Sequence, residues 1–157
     1  MILLLVLLFA QNPETDVRAV YLRGWDAATE AARVGGSAES LAPVRQAIAE
    51  LERLAGGAHG PAEIAAYVLR AAADAAQDER DEMALFLVHA IDLERTQLDA
   101  RQPGAPGISA HEAAGELWLR VRRYEDALRA FERARSVIGT TPFIESGLAR
   151  VNNALRR

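Results

Sequence analysis

The chain has 157 residues, half of them apolar, with 18 basic residues against 22 acidic ones and a net charge of −4. All of its basic residues are arginine, and it has no cysteine. That composition excludes disulfides, thiol nucleophiles and cysteine zinc sites, and it disfavours non-specific nucleic-acid binding, which needs a basic surface. The length suits one domain. Aromatic residues make up 6% and many apolar residues are alanine, which suits closely approaching helices better than a thick core.

Met1–Ala10 is almost wholly apolar. It is far short of the roughly 20 residues that span a bilayer as a helix. It fits the apolar part of a secretory signal, with Ala10 as a cleavage residue. Against this, no basic residue precedes the run, and Leu8 is large for its place. The expectation is a signal peptide or apolar anchor over residues 1–11 and a helical domain over residues 12–157. The protein is then exported, periplasmic or tethered to a membrane through residues 1–10. The alternative is an ordered N-terminal element in a cytoplasmic protein.

Asn12 and Pro13 give a cap and a first helical position, and the spacing predicts a helix to about Arg33. Its apolar face is Val17, Val20, Tyr21, Gly24, Ala28 and Ala31, with Trp25 beside it. Gly35 and Gly36 end it. A second helix starts near Leu41, since Pro43 is tolerated only in a first turn. It carries Val44, Ala47, Ile48, Leu51 and Leu54, and stops at Gly56.

Gly60-Pro61 opens a third helix through Tyr67, Val68, Ala71, Ala72 and Ala75. The charged run Asp78–Glu82 turns the chain or, lacking Gly and Pro, continues it as one bent helix. Met83–Ile91 is nearly all apolar, which predicts a helix buried on several sides and ending near Asp99. Ala84 stands as the equivalent of Ala47 and Ala127 in a weak internal repeat. Residues 101–107, RQPGAPG, form a breaker-rich loop.

From Ser109 the signal sharpens. Ser109 and Glu112 have capping-box spacing. Ala114, Leu117, Trp118 and Val121 share one stripe of a helix. After a short turn a second helix carries Tyr124, Ala127, Leu128, Phe131, Ala134 and Val137, and stops at Gly139. So short a turn makes the two helices antiparallel neighbours. Thr141-Pro142 caps a last helix with Phe143, Leu148, Val151 and Leu155 on one side.

The stretch Ser109–Thr141 resembles a tetratricopeptide repeat, a helix–turn–helix unit of about 34 residues. Gly115 matches the small residue where the helices touch, and Trp118 the aromatic place three residues on. Tyr124 opens the second helix, and Ala127, Phe131 and Ala134 match its small–large–small series. Ala114, His111 and the late Pro142 depart from the pattern. The resemblance implies an all-α fold: antiparallel helical hairpins stacked as a short α-solenoid, with a C-terminal capping helix. It implies a non-enzymatic scaffold for protein–protein interaction that takes a protein or peptide partner in a groove lined by Glu112, Glu116, Leu119 and Arg120; the alternative for this face is contact with neighbouring helices of the same chain. Glu112 and Glu116 disfavour a carboxylate ligand and favour a basic or mixed-polarity peptide.

Catalytic signatures are missing. His111-Glu112 begins like a HExxH zinc motif, but position 115 is glycine. Glu82, His89 and Asp92 share a helix face, which keeps open a metal-binding bundle or small enzyme around His89. A structural subunit of a larger assembly is a further alternative. No cofactor is expected.

Overall fold

The computed structural model describes residues 13–157, and the expected signal or anchor and the Asn12 cap lie outside them. Among the described residues the fold is all-α, with seven helices: α1 (Pro13–Arg33), α2 (Ala42–Ala55), α3 (Pro61–Ala76), α4 (Arg80–Asp99), α5 (Ala110–Arg120), α6 (Tyr124–Ile138) and α7 (Pro142–Leu155). They make three antiparallel hairpins and a terminal helix. The odd helices form a continuous row, α1 on α3, α3 on α5, α5 on α7. Each of α2, α4 and α6 packs against the odd helix before it and the one after it, and not against another even helix. Gaps therefore open between even helices, and the odd helix beneath shows through.

Local chemistry sets the ends of the helices. Pro stands in the first turn of α2, α3 and α7. Gly56 closes α2 in the left-handed conformation, where its lack of Cβ removes the steric cost. Four other helices end in one shared motif, in which a backbone N–H reaches five residues back. These bonds run from Gly36 to Ala31, Glu79 to Asp74, Gln102 to Gln97 and Arg123 to Trp118, at 2.8–2.9 Å. The residue before each donor has positive φ: Gly35, Asp78, Arg101 and Arg122. Only the first is glycine. The charged run therefore does break α3 from α4, with Asp78 at φ 59° taking the place glycine usually holds.

The core is continuous from α1 to α5, with a second cluster of Ala127, Phe131, Ala134, Ile144 and Val151 under α6 and α7. Alanine dominates α3, which is enclosed by four helices and buries Ala62, Ala65, Ala66, Ala71, Ala72 and Ala75. Gly24 lets α1 approach α2 and α3: a Cβ there would stand 2.3 Å from Leu69 Cδ1 and 2.9 Å from Ala47 Cβ. Gly115 plays the same part further on, with an added Cβ 2.5 Å from Phe131 Cδ1.

Three expectations need correction. The apolar stretch Met83–Ile91 is not buried all round. Met83, Leu87 and Ala90 face the core, whereas Leu85 and Val88 are each 56% exposed. No even helix lies against that outer side of α4, so the apolar side chains there stay in solvent. The inward register is also one residue off. Met83, Leu87 and Ala90 repeat the spacing of Ala127, Phe131 and Ala134, while Ala84 is only half-buried. On α7, Ile144, Gly147 and Val151 turn inward, while Leu155 is exposed.

Candidate functional site

The face expected to line a groove is occupied by the chain itself. Glu112 is buried. Its Oε2 accepts from the Ser109 N–H and hydroxyl at 3.0 Å, completing the capping box. Its Oε1 accepts from the Thr141 hydroxyl at 2.6 Å. Thr141 in turn accepts from Ile144 N–H as the cap of α7. One carboxylate thus ties the starts of α5 and α7 together, with both oxygens engaged within the chain.

Glu116 receives both guanidinium nitrogens of Arg150, at 2.5 and 3.2 Å, and approaches Arg120 Nε at 3.5 Å. Arg120 donates to the Thr29 hydroxyl at 2.8 Å and lies 4.7 Å over the Trp25 ring. Burial lowers its pKa, and the Glu116 carboxylate works against that shift. The Arg150 pKa is raised by its hydrogen bond to Glu116. These contacts run from α7 through α5 to α1. Leu119 is half-buried against the C-terminal cluster. Glu112, Glu116 and Arg120 therefore join odd helices to one another, and Leu119 packs on the C-terminal cluster, rather than facing an open cleft. The repeat-pattern residues do meet one another: Gly115 abuts Phe131, which shares the cluster with Ala127 and Ala134, while Trp118 borders both clusters. Tyr124 is half-buried at the start of α6.

The open groove is elsewhere, between α2 and α4 with α3 as its floor. Its apolar part is lined by Ala55, Ala58, Tyr67, Leu85, Phe86 and His89. It continues past Arg70 to Ile48, Arg45 and Asp74. Tyr67 stacks obliquely on Phe86 and His89, with ring centroids 6.1 and 5.6 Å away. Arg70 lies 5.6 Å over the Phe86 ring and pairs with Glu52 across the groove. Arg45 donates to the Ala38 carbonyl. Asp74 differs: its Oδ2 is buried with no hydrogen-bond partner among the described residues. Burial first, and then the Glu79 and Glu82 charges, push its pKa up to about 6, against the pull of Arg70.

A sequence signal for this groove exists. In α3 the residues Glu63, Tyr67, Arg70 and Asp74 recur at four, three and four positions among alanines and aliphatics. One polar line along an otherwise apolar helix marks a helix enclosed on every side but one.

A second polar cluster is enclosed and structural. Glu94 and His111 are both buried, with Nδ1 of His111 2.8 Å from Glu94 Oε2. Glu94 also accepts from the backbone N–H of Ala105 and His111. It thereby pins residues 101–107 to α4. Tyr21 donates to the Ile108 carbonyl at 2.9 Å, and burial raises its pKa well above normal, helped by Glu94 and Glu112. His89 is exposed, and among the described residues no three His, Asp or Glu side chains are grouped to hold a metal ion. No described helix is long and apolar enough to cross a membrane. No family model matches the chain, and neither the curated proteins nor the solved structures contain a match to it.

Proposed function

We propose that this chain is a non-catalytic protein-binding module of tetratricopeptide-like hairpins, and that its partner docks in the groove between α2 and α4. The observation that carries this reading is Leu85, 56% exposed on the α4 wall of a groove it shares with Phe86 and the α3 side chain Tyr67, with the equally exposed Val88 beside it on the outer face of α4. Large apolar side chains that cluster in solvent mark an interaction surface more often than they mark packing. The stacked-hairpin architecture and the Gly115–Phe131 contact support the family resemblance. The α5 face is a poorer docking site because Glu112 and Glu116 are already paired within the chain and Arg120, though its Nη1 has no hydrogen-bond partner among the described residues, is buried over Trp25. Export remains the reading of Met1–Ala10, and N-terminal sequencing of the mature protein tests it: a chain starting near Gln11 supports export.

The groove reading is tested with a photo-crosslinking residue in place of Val88. A discrete adduct from native extract is expected, and it should disappear when Leu85→Ser is added while the helical circular dichroism is unchanged. An adduct that survives Leu85→Ser, or one that forms equally with a crosslinker at exposed Val137, overturns it.

A further inference from the structure

The outer face of α4 adds chemistry to that groove. Asp81, Leu85, Val88 and Asp92 follow one another at four, three and four residues, and all four are exposed. Along a helix this puts an acid, two apolar side chains and an acid on one line about 16 Å long. The groove end beside it is acidic as well. Asp74, Asp81 and Glu82 have no basic partner among the described residues. The arginines that border this surface are engaged at home: Arg70 with Glu52, Arg80 with Asp78, Arg45 with the Ala38 carbonyl. Arg95 pairs with Asp92 at 3.2 Å, but both are more than half exposed and free to exchange partners. The surface therefore offers apolar anchorage bracketed by exposed carboxylates, of which Asp92 alone pairs with an arginine.

We infer that the occupant is a cationic amphipathic helix of another protein, its apolar stripe seated on Tyr67, Leu85 and Phe86 and covering Val88 on the outer face of α4, and its flanking lysines or arginines meeting Asp74, Asp81 and Glu82. This rests on the groove reading of the preceding subsection and names the class of partner. A groove walled by two helices presents no strand edge for an extended chain to pair with, whereas an amphipathic helix arrives with its backbone bonds satisfied and an apolar stripe to lay in the groove. A second copy fits badly, because an antiparallel pairing centred on the Leu85–Val88 segment sets carboxylates against carboxylates, and the chain's net charge is −4.

Three synthetic peptides test this against the full chain by titration calorimetry, with amide chemical shifts locating the site. They share one leucine stripe over about 14 residues and differ only in flanks of lysine, glutamine or glutamate. The lysine peptide should bind about tenfold tighter than the glutamine one at low salt and lose that margin as salt rises. The glutamate peptide should bind weakest. Asp81→Lys with Glu82→Lys should reverse the order of the lysine and glutamate peptides, and Leu85→Ser with Val88→Ser should weaken all three. Equal affinities, or an order that charge reversal leaves unchanged, overturn the cationic partner and leave the groove reading standing. No binding up to about 1 mM, or shifts confined to helices other than α2, α3 and α4, overturn both. Self-association by sedimentation that Leu85→Ser and Val88→Ser abolish gives the face to a second copy and overturns the inference.

Discussion

The middle of the molecule and its C-terminal end solve the same packing problem in different ways. Around α3 the core is spread over many small contacts: four helices close on a surface of alanine, and burial is shared by residues such as Val20, Tyr21, Leu51, Ile64 and Leu69. At the C-terminus a single ring carries the joint. Phe131 is fully buried and sits between Gly115 on α5 and Gly147 on α7, where an added Cβ would stand 2.5 and 2.3 Å from its ring. Helix surfaces of alanine meet closely along their length, so no one contact dominates. A large ring against two glycines concentrates the same close approach at one point. The difference teaches where the stack is vulnerable: one side chain dominates the apolar packing of its terminal helices, while no single contact dominates its middle.

The most severe way to break that contrast is Phe131→Ala. It should cost about 3–5 kcal/mol, the range for a large buried ring replaced by a cavity. Hydrogen exchange should show α6 and α7 losing protection first, with α1 to α4 nearly unchanged. Uniform loss across all seven helices would show the two regions to be one cooperative unit. Gly147→Ala approaches the same joint from the other side. Its methyl meets Phe131 Cζ at 2.3 Å, and the overpacking should cost about 1–3 kcal/mol by denaturant titration. In the alanine-packed region the matched small change, Ala72→Gly, should cost about 1 kcal/mol, chiefly through helix propensity.

A milder probe asks what holds the region around Ile108 against α1. Tyr21→Phe leaves the ring in place and removes its bond to the Ile108 carbonyl, for an expected loss of about 1 kcal/mol. The wild type has a raised Tyr21 pKa, so the folded state favours the neutral phenol. That contribution is fully present below about pH 10, the unfolded value, and is lost as pH rises toward the folded one. The phenylalanine variant should therefore unfold less steeply in alkali than the wild type.

The hairpins were legible because their signals are local. Pro61, Thr141-Pro142, the Ser109–Glu112 box and Gly56 each fix a helix end through backbone geometry that any reader of the chain can apply. The break at Asp78 was ambiguous because a charged residue fills a left-handed position without leaving a glycine to mark it. The open groove was harder still. A continuous apolar run such as Met83–Ile91 says that neighbours are wanted on several sides, not whether the topology supplies them, and α4 has none behind Leu85 and Val88. No local signal decides whether Glu112 and Glu116 face a groove or the chain itself, because the partners that engage them, Thr141 and Arg150, lie 29 and 34 residues away. The Glu94–His111 pair had one clue. Glu94 continues the inward line of Met83, Leu87 and Ala90, and a carboxylate on such a line needs a buried partner.

The smallest expected effect lies in the groove itself and turns on sign rather than size. Asp74 has a pKa of about 6 in the folded chain, against roughly 3.9 for an ordinary aspartate. Below about pH 4 the carboxyl is protonated in both states, and its contribution to stability is fully present. Between there and about pH 6 the folded chain binds more protons than the unfolded one, so stability falls as pH rises and levels off above. Asp74→Asn removes the charge that burial, Glu79 and Glu82 disfavour. The variant should be more stable than the wild type at pH 7.5 by no more than about 1 kcal/mol, since Asp74 is only partly buried and solvent screens much of the effect. The two should converge near pH 4 in thermal melts. A variant that is less stable at pH 7.5 would mean that a cation already compensates Asp74 in the free protein, which would remove the strongest electrostatic reason for the groove to recruit one from a partner.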